Sequence, residues 1–84
     1  MPFYTYILYS ASLDKYYTGS CEDLSVRLEK QHNAGRNIST RAGKPWILKY
    51  SEIFITRSQA VVRENEIKKK KSRKYIEWLI NSVG

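Results

Sequence analysis

A run of seven residues near the N-terminus, Phe3 to Tyr9, constrains the fold most strongly. Each of its residues is aromatic, β-branched or leucine, a composition typical of β-strands. Successive side chains of a strand point to opposite faces, so Tyr4, Tyr6 and Leu8 share one face and the odd-numbered residues the other. Both faces are largely apolar. We therefore expect a sheet with helices packed against it.

The rest of the chain supplies the partners of this strand. A second strand, Lys15 to Gly19, is expected to return antiparallel, with Gly19 ending it where the backbone turns or approaches something closely. A helix from about Asp23 to His32 follows, and Trp46–Ile55 has the composition of a third strand. Apolar residues at helical spacing predict a helix from about Ser58 to Lys70 and another that begins near Ser72.

These elements define a fold class. The length of 84 residues suits one domain spanning 1–84. We predict an α/β protein of the α+β type, with a three-stranded antiparallel sheet flanked by helices in the order β-β-α-β-α-α. The 42 % hydrophobic content is that of a globular chain.

The charge balance points to a polyanionic partner. Fifteen Lys and Arg against eight Asp and Glu give a formal net charge of +7, which favours nucleic acid. One cysteine, Cys21, and one histidine leave no zinc cluster or internal disulfide, which fits a reducing cytoplasm. We interpret Cys21 as a small buried side chain. The N-terminal segment lacks the pattern of a signal or membrane segment.

Two charged residues occupy positions where apolar ones are expected. Arg27 shares a helical stripe with Leu24 and Leu28, either as a phosphate ligand or as an arginine that covers apolar surface with its stem. Glu64 shares a stripe with Ile67, whereas Glu66 points away. An ion pair with Lys68 is the structural alternative for Glu64, although that role suits Glu66 and Lys70 better.

Together with the strands, these residues resemble a known family. Tyr4-Thr5-Tyr6 and Tyr17-Thr18-Gly19 are similar to the two strand motifs of the GIY-YIG nucleases, although the first lacks the usual glycine and isoleucine. Arg27, His32 and Glu64 follow in the same order. The resemblance covers essentially the whole chain and is closest to the small, single-domain bacterial branch.

The resemblance implies a divalent-metal nuclease in which a tyrosine activates or positions the attacking water. It implies that Tyr6 and Tyr17 are the phenols, Arg27 the phosphate-binding cation, and Glu64 the ligand of Mg²⁺ or Mn²⁺, with His32 in support. We choose Tyr17 over Tyr16 because it directly precedes Thr18-Gly19. A tyrosine has a pKa near 10, so a catalytic base here needs a nearby cation.

Basic residues outside the motifs are candidates for binding the nucleic-acid backbone. The candidates lie on the loop before the third strand and at the end of the second long helix: Arg36, Arg41, Lys44, Lys68 and Lys71. Trp46 and Trp78 are interpreted as core anchors rather than as base-stacking platforms.

The resulting hypothesis is a cytoplasmic endonuclease. It hydrolyses DNA, or alternatively RNA, with low intrinsic sequence specificity, in repair or recombination, with a partner protein supplying specificity and no membrane involved. The alternative is a non-catalytic nucleic-acid-binding module of the same fold. A protein-interaction domain is a third possibility, which predicts negligible nucleic-acid binding at low salt.

Overall fold

The computed structural model describes residues 2–28 and 41–83. A central strand β1 (Phe3–Ser10) is flanked by β2 (Lys15–Cys21) and β3 (Trp46–Phe54), giving the order β2-β1-β3. Both pairs are antiparallel, with Tyr6 opposite Gly19 on one side and Ser51 on the other. The predicted sheet and element order are confirmed. Strand β2 is longer than predicted, since it continues past Gly19 to Cys21.

Helix α1 (Leu24–Val26) follows β2, and the side chain of Asp23 caps it by accepting a hydrogen bond of 3.1 Å from the Val26 N–H. Arg27 keeps helical backbone angles. The remainder of the helix predicted to reach His32 lies, beyond Leu28, outside the described residues. A short 3₁₀ helix (Arg41–Gly43) leads into β3.

Two further helices, α2 (Arg57–Lys70) and α3 (Arg73–Val83), complete the element order. Thr56 begins α2 with a capping box: its hydroxyl accepts from the Gln59 N–H, and the Gln59 side chain accepts from the Thr56 N–H. The Ser72 hydroxyl accepts from the Tyr75 N–H at the start of α3. Both helix starts fall within a residue of their predicted positions. In the described residues, no helix is long and apolar enough to cross a membrane.

The sheet has an apolar cluster on each face. On the first face lie Tyr6, Leu8, Cys21 and Trp46, with Leu24 and Leu28 against them. On the second face lie Ile7, Ile67 and Leu79, under α2 and α3. The two-sided pattern of β1 predicted this arrangement.

One buried hydrogen bond joins helix α2 to the central strand. The buried Thr5 hydroxyl donates to the carbonyl oxygen of Ala60 over 2.7 Å, which fixes α2 against β1.

The two tryptophans differ in burial. Trp46 is 4 % exposed, as expected of a core anchor, but Trp78 is 62 % exposed, so its interpretation as a core residue was wrong. The apolar stripe of α3 faces the sheet through Ile76 and Leu79, and Trp78 lies well to one side of it.

Candidate active site

Tyr6 and Gly19 form the centre of the candidate site. They are paired across β1 and β2, and Tyr6 is 2 % exposed. A Cβ atom at Gly19 would lie 2.5 Å from Tyr6 Oη and 2.7 Å from Cζ, so only glycine lets the phenol lie over β2. The expected close approach at Gly19 is therefore confirmed, whereas the expectation that it ends the strand is wrong.

Tyr17 shares the face of Tyr6. Its ring packs edge-on against Trp46, with centroids 6.3 Å apart and planes inclined by 64°. The Lys68 Nζ atom lies 5.9 Å from the centroid of the Tyr17 ring. Tyr16 packs against the cluster on the opposite face, as the choice between the two tyrosines predicted.

Glu64 reaches the same region from helix α2, beside the edge of β2. Its Oε1 accepts a hydrogen bond of 2.7 Å from the Ser20 hydroxyl, and its Oε2 accepts one of 2.7 Å from Lys68 Nζ. The side chain is 17 % exposed, while Glu66 is exposed. The inward placement of Glu64 agrees with the prediction. The ion pair with Lys68, which sequence reasoning assigned more readily to Glu66 and Lys70, forms at Glu64.

Arg27 approaches from the end of α1. It is half-buried and lines a surface depression with Asp23, Val26 and Arg57. Burial raises the pKa values of both Tyr6 and Cys21, and the Arg27 charge opposes this rise, so the guanidinium lies within electrostatic range of both side chains. The Cys21 thiol is 4 % exposed and burial raises its pKa on balance, as befits a packing residue rather than a reactive thiolate.

The pKa of Tyr6 depends on the three other predicted side chains, Tyr17, Arg27 and Glu64. Burial raises the pKa of Tyr6 well above its ordinary value, and the neighbouring Tyr17 raises it further. The Arg27 charge lowers this pKa and the Glu64 charge raises it, so both lie within electrostatic range of the phenol. The effect of burial on this pKa outweighs the effect of the Arg27 charge. Tyr6 is therefore a protonated hydrogen-bond donor at neutral pH. Arg27 alone does not make it a base.

A comparison with models of protein families shows to which family the chain belongs. The sequence model of the GIY-YIG catalytic domain matches residues 2–76. The chain belongs to the GIY-YIG family. This confirms the resemblance to the GIY-YIG family, and the family is of nuclease type.

The relatives of this GIY-YIG chain include proteins of the UPF0213 group. UPF0213 proteins of Staphylococcus aureus strains Mu50 and N315 are each 43 % identical over 53 residues, which is 62 % of this chain and 63 % of theirs. The chain thus spans less than two thirds of the length of these relatives. A UPF0213 protein from Bacillus halodurans, solved in solution by NMR, is 32 % identical, with a TM-score of 0.58 over 96 % of this chain and 84 % of that one.

A basic groove of about 440 Å³ lies next to Tyr17, between the edge of β2 and the α2–α3 junction. Two of the predicted phosphate ligands, Lys68 and Lys71, line it, together with Tyr17. Lys15 also lines it and was not predicted. Arg73 is held there by Asp14, through a hydrogen bond of 2.7 Å to the carboxylate.

The other predicted site residues lie elsewhere. Lys44 is exposed just before β3 and is not among the residues that line the groove. His32 and Arg36 lie outside the described residues, and for Arg41 the structure describes only its place in the 3₁₀ helix. Their roles stay predictions.

Glu64 is the candidate metal ligand of this GIY-YIG site. Among the described residues there is no cluster of three or more His, Cys, Asp or Glu side chains. Mg²⁺ often takes only one or two protein carboxylates and completes its octahedron with water and substrate oxygens. An ionised carboxylate offers about four acceptor positions, and Ser20 and Lys68 use two of them at Glu64. The oxygen atoms of the Glu64 carboxylate therefore suit one hard cation. The Lys68 ammonium has to move away first, because it pairs with the same negative charge.

Sequence reasoning missed Ser20 as a partner of Glu64. Ending β2 at Gly19 removed the signal, because the alternation of a longer strand places Ser20 on the same face as Tyr16, towards α2. A strand predicted to continue to Cys21 would have placed Ser20 on the side of α2.

Proposed function

We propose that this protein is a divalent-metal-dependent endonuclease that hydrolyses phosphodiester bonds of DNA with low intrinsic sequence specificity. The observation that carries the proposal is that Tyr17, Arg27 and Glu64 all lie within electrostatic range of the buried phenol of Tyr6, while Tyr17 also lines a basic groove. Membership of the GIY-YIG family supports the reaction class. We place the activity in the cytoplasm, in one domain over residues 1–84, with repair or recombination of DNA as its setting.

Phosphodiester hydrolysis requires a positioned water and stabilisation of the negative charge on the phosphoryl oxygens. The planar guanidinium of Arg27 can bind two of these oxygens at once, which a lysine cannot reproduce. Tyr6, kept protonated by burial, donates a hydrogen bond to the attacking water or to a phosphoryl oxygen. Tyr17, half-buried beside Tyr6, restricts the room in which that water can lie.

Glu64 would hold the metal, Mg²⁺ or Mn²⁺, as GIY-YIG nucleases generally depend on a divalent cation. The bound cation would supply Lewis-acid stabilisation of the phosphoryl and leaving oxygens. Ser20 holds the carboxylate in place through Oε1. Lys68, once released from Oε2, remains on the groove and can bind a backbone phosphate.

The groove explains the expected lack of sequence specificity. Lysine ammonium groups such as those of Lys68 and Lys71 hold backbone phosphates, and phosphate contacts carry no base information. RNA presents the same phosphates and is the alternative polymer. A partner protein would then direct the enzyme to its target.

A cleavage assay tests the proposal. Wild-type protein, Arg27→Ala and Glu64→Gln are compared on nicked, branched and single-stranded DNA, with Mg²⁺ or Mn²⁺ and with a chelator. Each substitution should lower the cleavage rate by about 100-fold or more, the scale for loss of one preorganised electrostatic contact. Glu66→Gln, the same charge change on the exposed side of α2, is the matched control and should cleave like wild type. Metal-dependent cleavage that survives both site substitutions would refute the assignment.

One observation favours a second function, a non-catalytic nucleic-acid-binding module. Lys68 lies on Glu64 Oε2 and neutralises the charge that a cation needs. A module of this kind would bind DNA in a salt-sensitive manner and cleave no substrate with any divalent metal. Cleavage abolished by Glu64→Gln would exclude it.

A further inference from the structure

Helix α3 carries a large aromatic side chain on its outer surface. Trp78 is 62 % exposed, and its ring stacks on Tyr75 with centroids 6.0 Å apart and planes inclined by 26°. Tyr75 is itself half-buried against the cluster of Ile7, Ile67 and Leu79. Trp78 is therefore supported on the protein side by a fixed ring, while most of its surface faces solvent. An exposed tryptophan presents a large, flat apolar surface, which is why tryptophan is enriched at interfaces.

Positive charges surround this aromatic pair. Lys70 Nζ lies 5.4 Å from the centroid of the Tyr75 ring, and the exposed Lys74 precedes Trp78 by one helical turn. Glu77 is the one acidic residue in the sequence of α3, and its carboxylate accepts hydrogen bonds from Arg73 and Tyr16, away from Trp78.

The remaining charges nearby belong to α2 and β3. Arg63 donates a hydrogen bond of 3.3 Å to the Tyr75 hydroxyl, and Glu52 neutralises it through contacts of 3.0–3.2 Å. Glu66 precedes Lys70 by one turn and offsets part of its charge. With Lys69 and Lys74 also exposed, the surroundings of the aromatic pair remain positive.

We propose that Trp78, backed by Tyr75, is a stacking platform for an unpaired base of a single-stranded nucleic acid, with Lys70 and Lys74 binding the flanking phosphates. A flat exposed ring accepts any base, and lysines follow the backbone without reading sequence. Bases in a duplex are already stacked on one another, so the platform selects single-stranded segments. The inference deepens the proposed function and rests on it for the identity of the polymer.

The platform is separate from the candidate active site. Lys68 faces Tyr17, whereas Lys70, two residues later in α2, faces Tyr75, so α2 lies between the groove and the platform. The GIY-YIG match ends at Ile76, before Trp78. A nucleic acid with a single-stranded arm can therefore occupy both surfaces by crossing the α2–α3 junction, where Lys71 lies.

Binding without cleavage tests the platform. In a buffer with a chelator, a short oligodeoxythymidine and a hairpin duplex are titrated against wild type, Trp78→Ala and Trp78→Phe. Trp46 is buried, so the part of the fluorescence quenching that Trp78→Ala removes reports on Trp78. Trp78→Ala should lose the quenching and bind the single strand about 5- to 100-fold more weakly, the range for one stacked base. Trp78→Phe should keep most of the affinity, and duplex binding should change by less than about twofold.

Ile55→Ala is the matched control, because Ile55 is an apolar side chain that is 84 % exposed and follows β3 rather than lying on α3. Its affinity for the single strand should equal that of wild type. The inference is overturned if Trp78→Ala binds the single strand like wild type, if it weakens duplex binding equally, or if Trp78→Phe is as weak as Trp78→Ala. A change confined to self-association, measured by sedimentation, would also overturn it and assign Trp78 to a protein interface.

Failure of the proposed nuclease function and failure of the platform give different experimental results. If the wild type cleaves nothing but binds the single strand in a Trp78-dependent manner, the nuclease proposal falls and the platform stands. If cleavage depends on Glu64 while Trp78 is dispensable for binding, the nuclease proposal stands and the platform falls.

Discussion

Replacing Gly19 with alanine places a methyl group against the ring of Tyr6. The new Cβ would lie 2.5 Å from Tyr6 Oη, 2.7 Å from Cζ and 3.2 Å from Tyr17 Cε1. Non-bonded heavy atoms pack at about 3.5–4.0 Å, so the phenol has to move by roughly 1 Å. Because Tyr6 is 2 % exposed, the displaced ring has to push into its packed neighbours.

The expected cost has two parts. Overpacking of a well-packed core destabilises by about 1–3 kcal/mol, and the midpoint of thermal unfolding falls by about 4–8 °C for each kcal/mol in a domain of this size. Displacing a group at the reacting centre by about 1 Å costs on the order of 100-fold in rate. Gly19→Ala should therefore lower both the unfolding free energy and the cleavage rate per folded molecule.

Urea unfolding and cleavage are measured on the same preparation. Gly43→Ala is the matched control, since a Cβ there would lie 2.5 Å from Trp46 Cζ2 without touching Tyr6. It should lose comparable stability and less activity per folded molecule. Adding Tyr6→Phe to Gly19→Ala removes the closest contact and should restore part of the stability. The reasoning is refuted if Gly19→Ala unfolds within about 0.5 kcal/mol of wild type, or if Gly43→Ala loses as much activity.

Three further substitutions give separate tests. Thr5→Val removes the hydrogen bond to Ala60 and should lower the unfolding free energy by about 1 kcal/mol in urea; an unchanged midpoint would contradict this. Burial raises the pKa of Tyr6 above the value near 10 of an unfolded tyrosine, so the unfolded chain releases this proton first and stability falls as the pH rises above 10. Tyr6→Phe should flatten this fall above about pH 10, and equal slopes would count against it. Lys68→Met frees Glu64 Oε2, so half-maximal cleavage should need less Mn²⁺, while stability changes by less than about 0.5 kcal/mol; a higher metal requirement would disprove the competition.

Most of the fold could be predicted because its signals are local. The alternating apolar residues of β1 predict a two-sided sheet, and the same alternation separates Tyr16 from Tyr17 on β2. Thr56 and Ser72 mark the helix starts through capping, which depends on only a few neighbouring residues.

The errors arose where packing between distant segments decides the outcome. The end of β2 depends on pairing with Tyr4, not on Gly19 itself, since Tyr4 is opposite Cys21. The pairing of Glu64 with Lys68 depends on Ser20, which comes from another element and holds the carboxylate in place. The exposure of Trp78 depends on which stripe of α3 meets the sheet, and a hydrophobicity pattern alone does not place a large aromatic side chain at the edge of such a stripe.

Tyr6 belongs to the core cluster as well as to the candidate site, and this has an evolutionary consequence. A descendant that lost cleavage would still need an aromatic ring at residue 6 and a glycine at residue 19, because both pack the first face of the sheet. It would have no such reason to keep Arg27 or Glu64, which are only half-buried. Under the proposed function, the two charged residues are therefore better markers of retained cleavage than the tyrosine motifs that give the family its name.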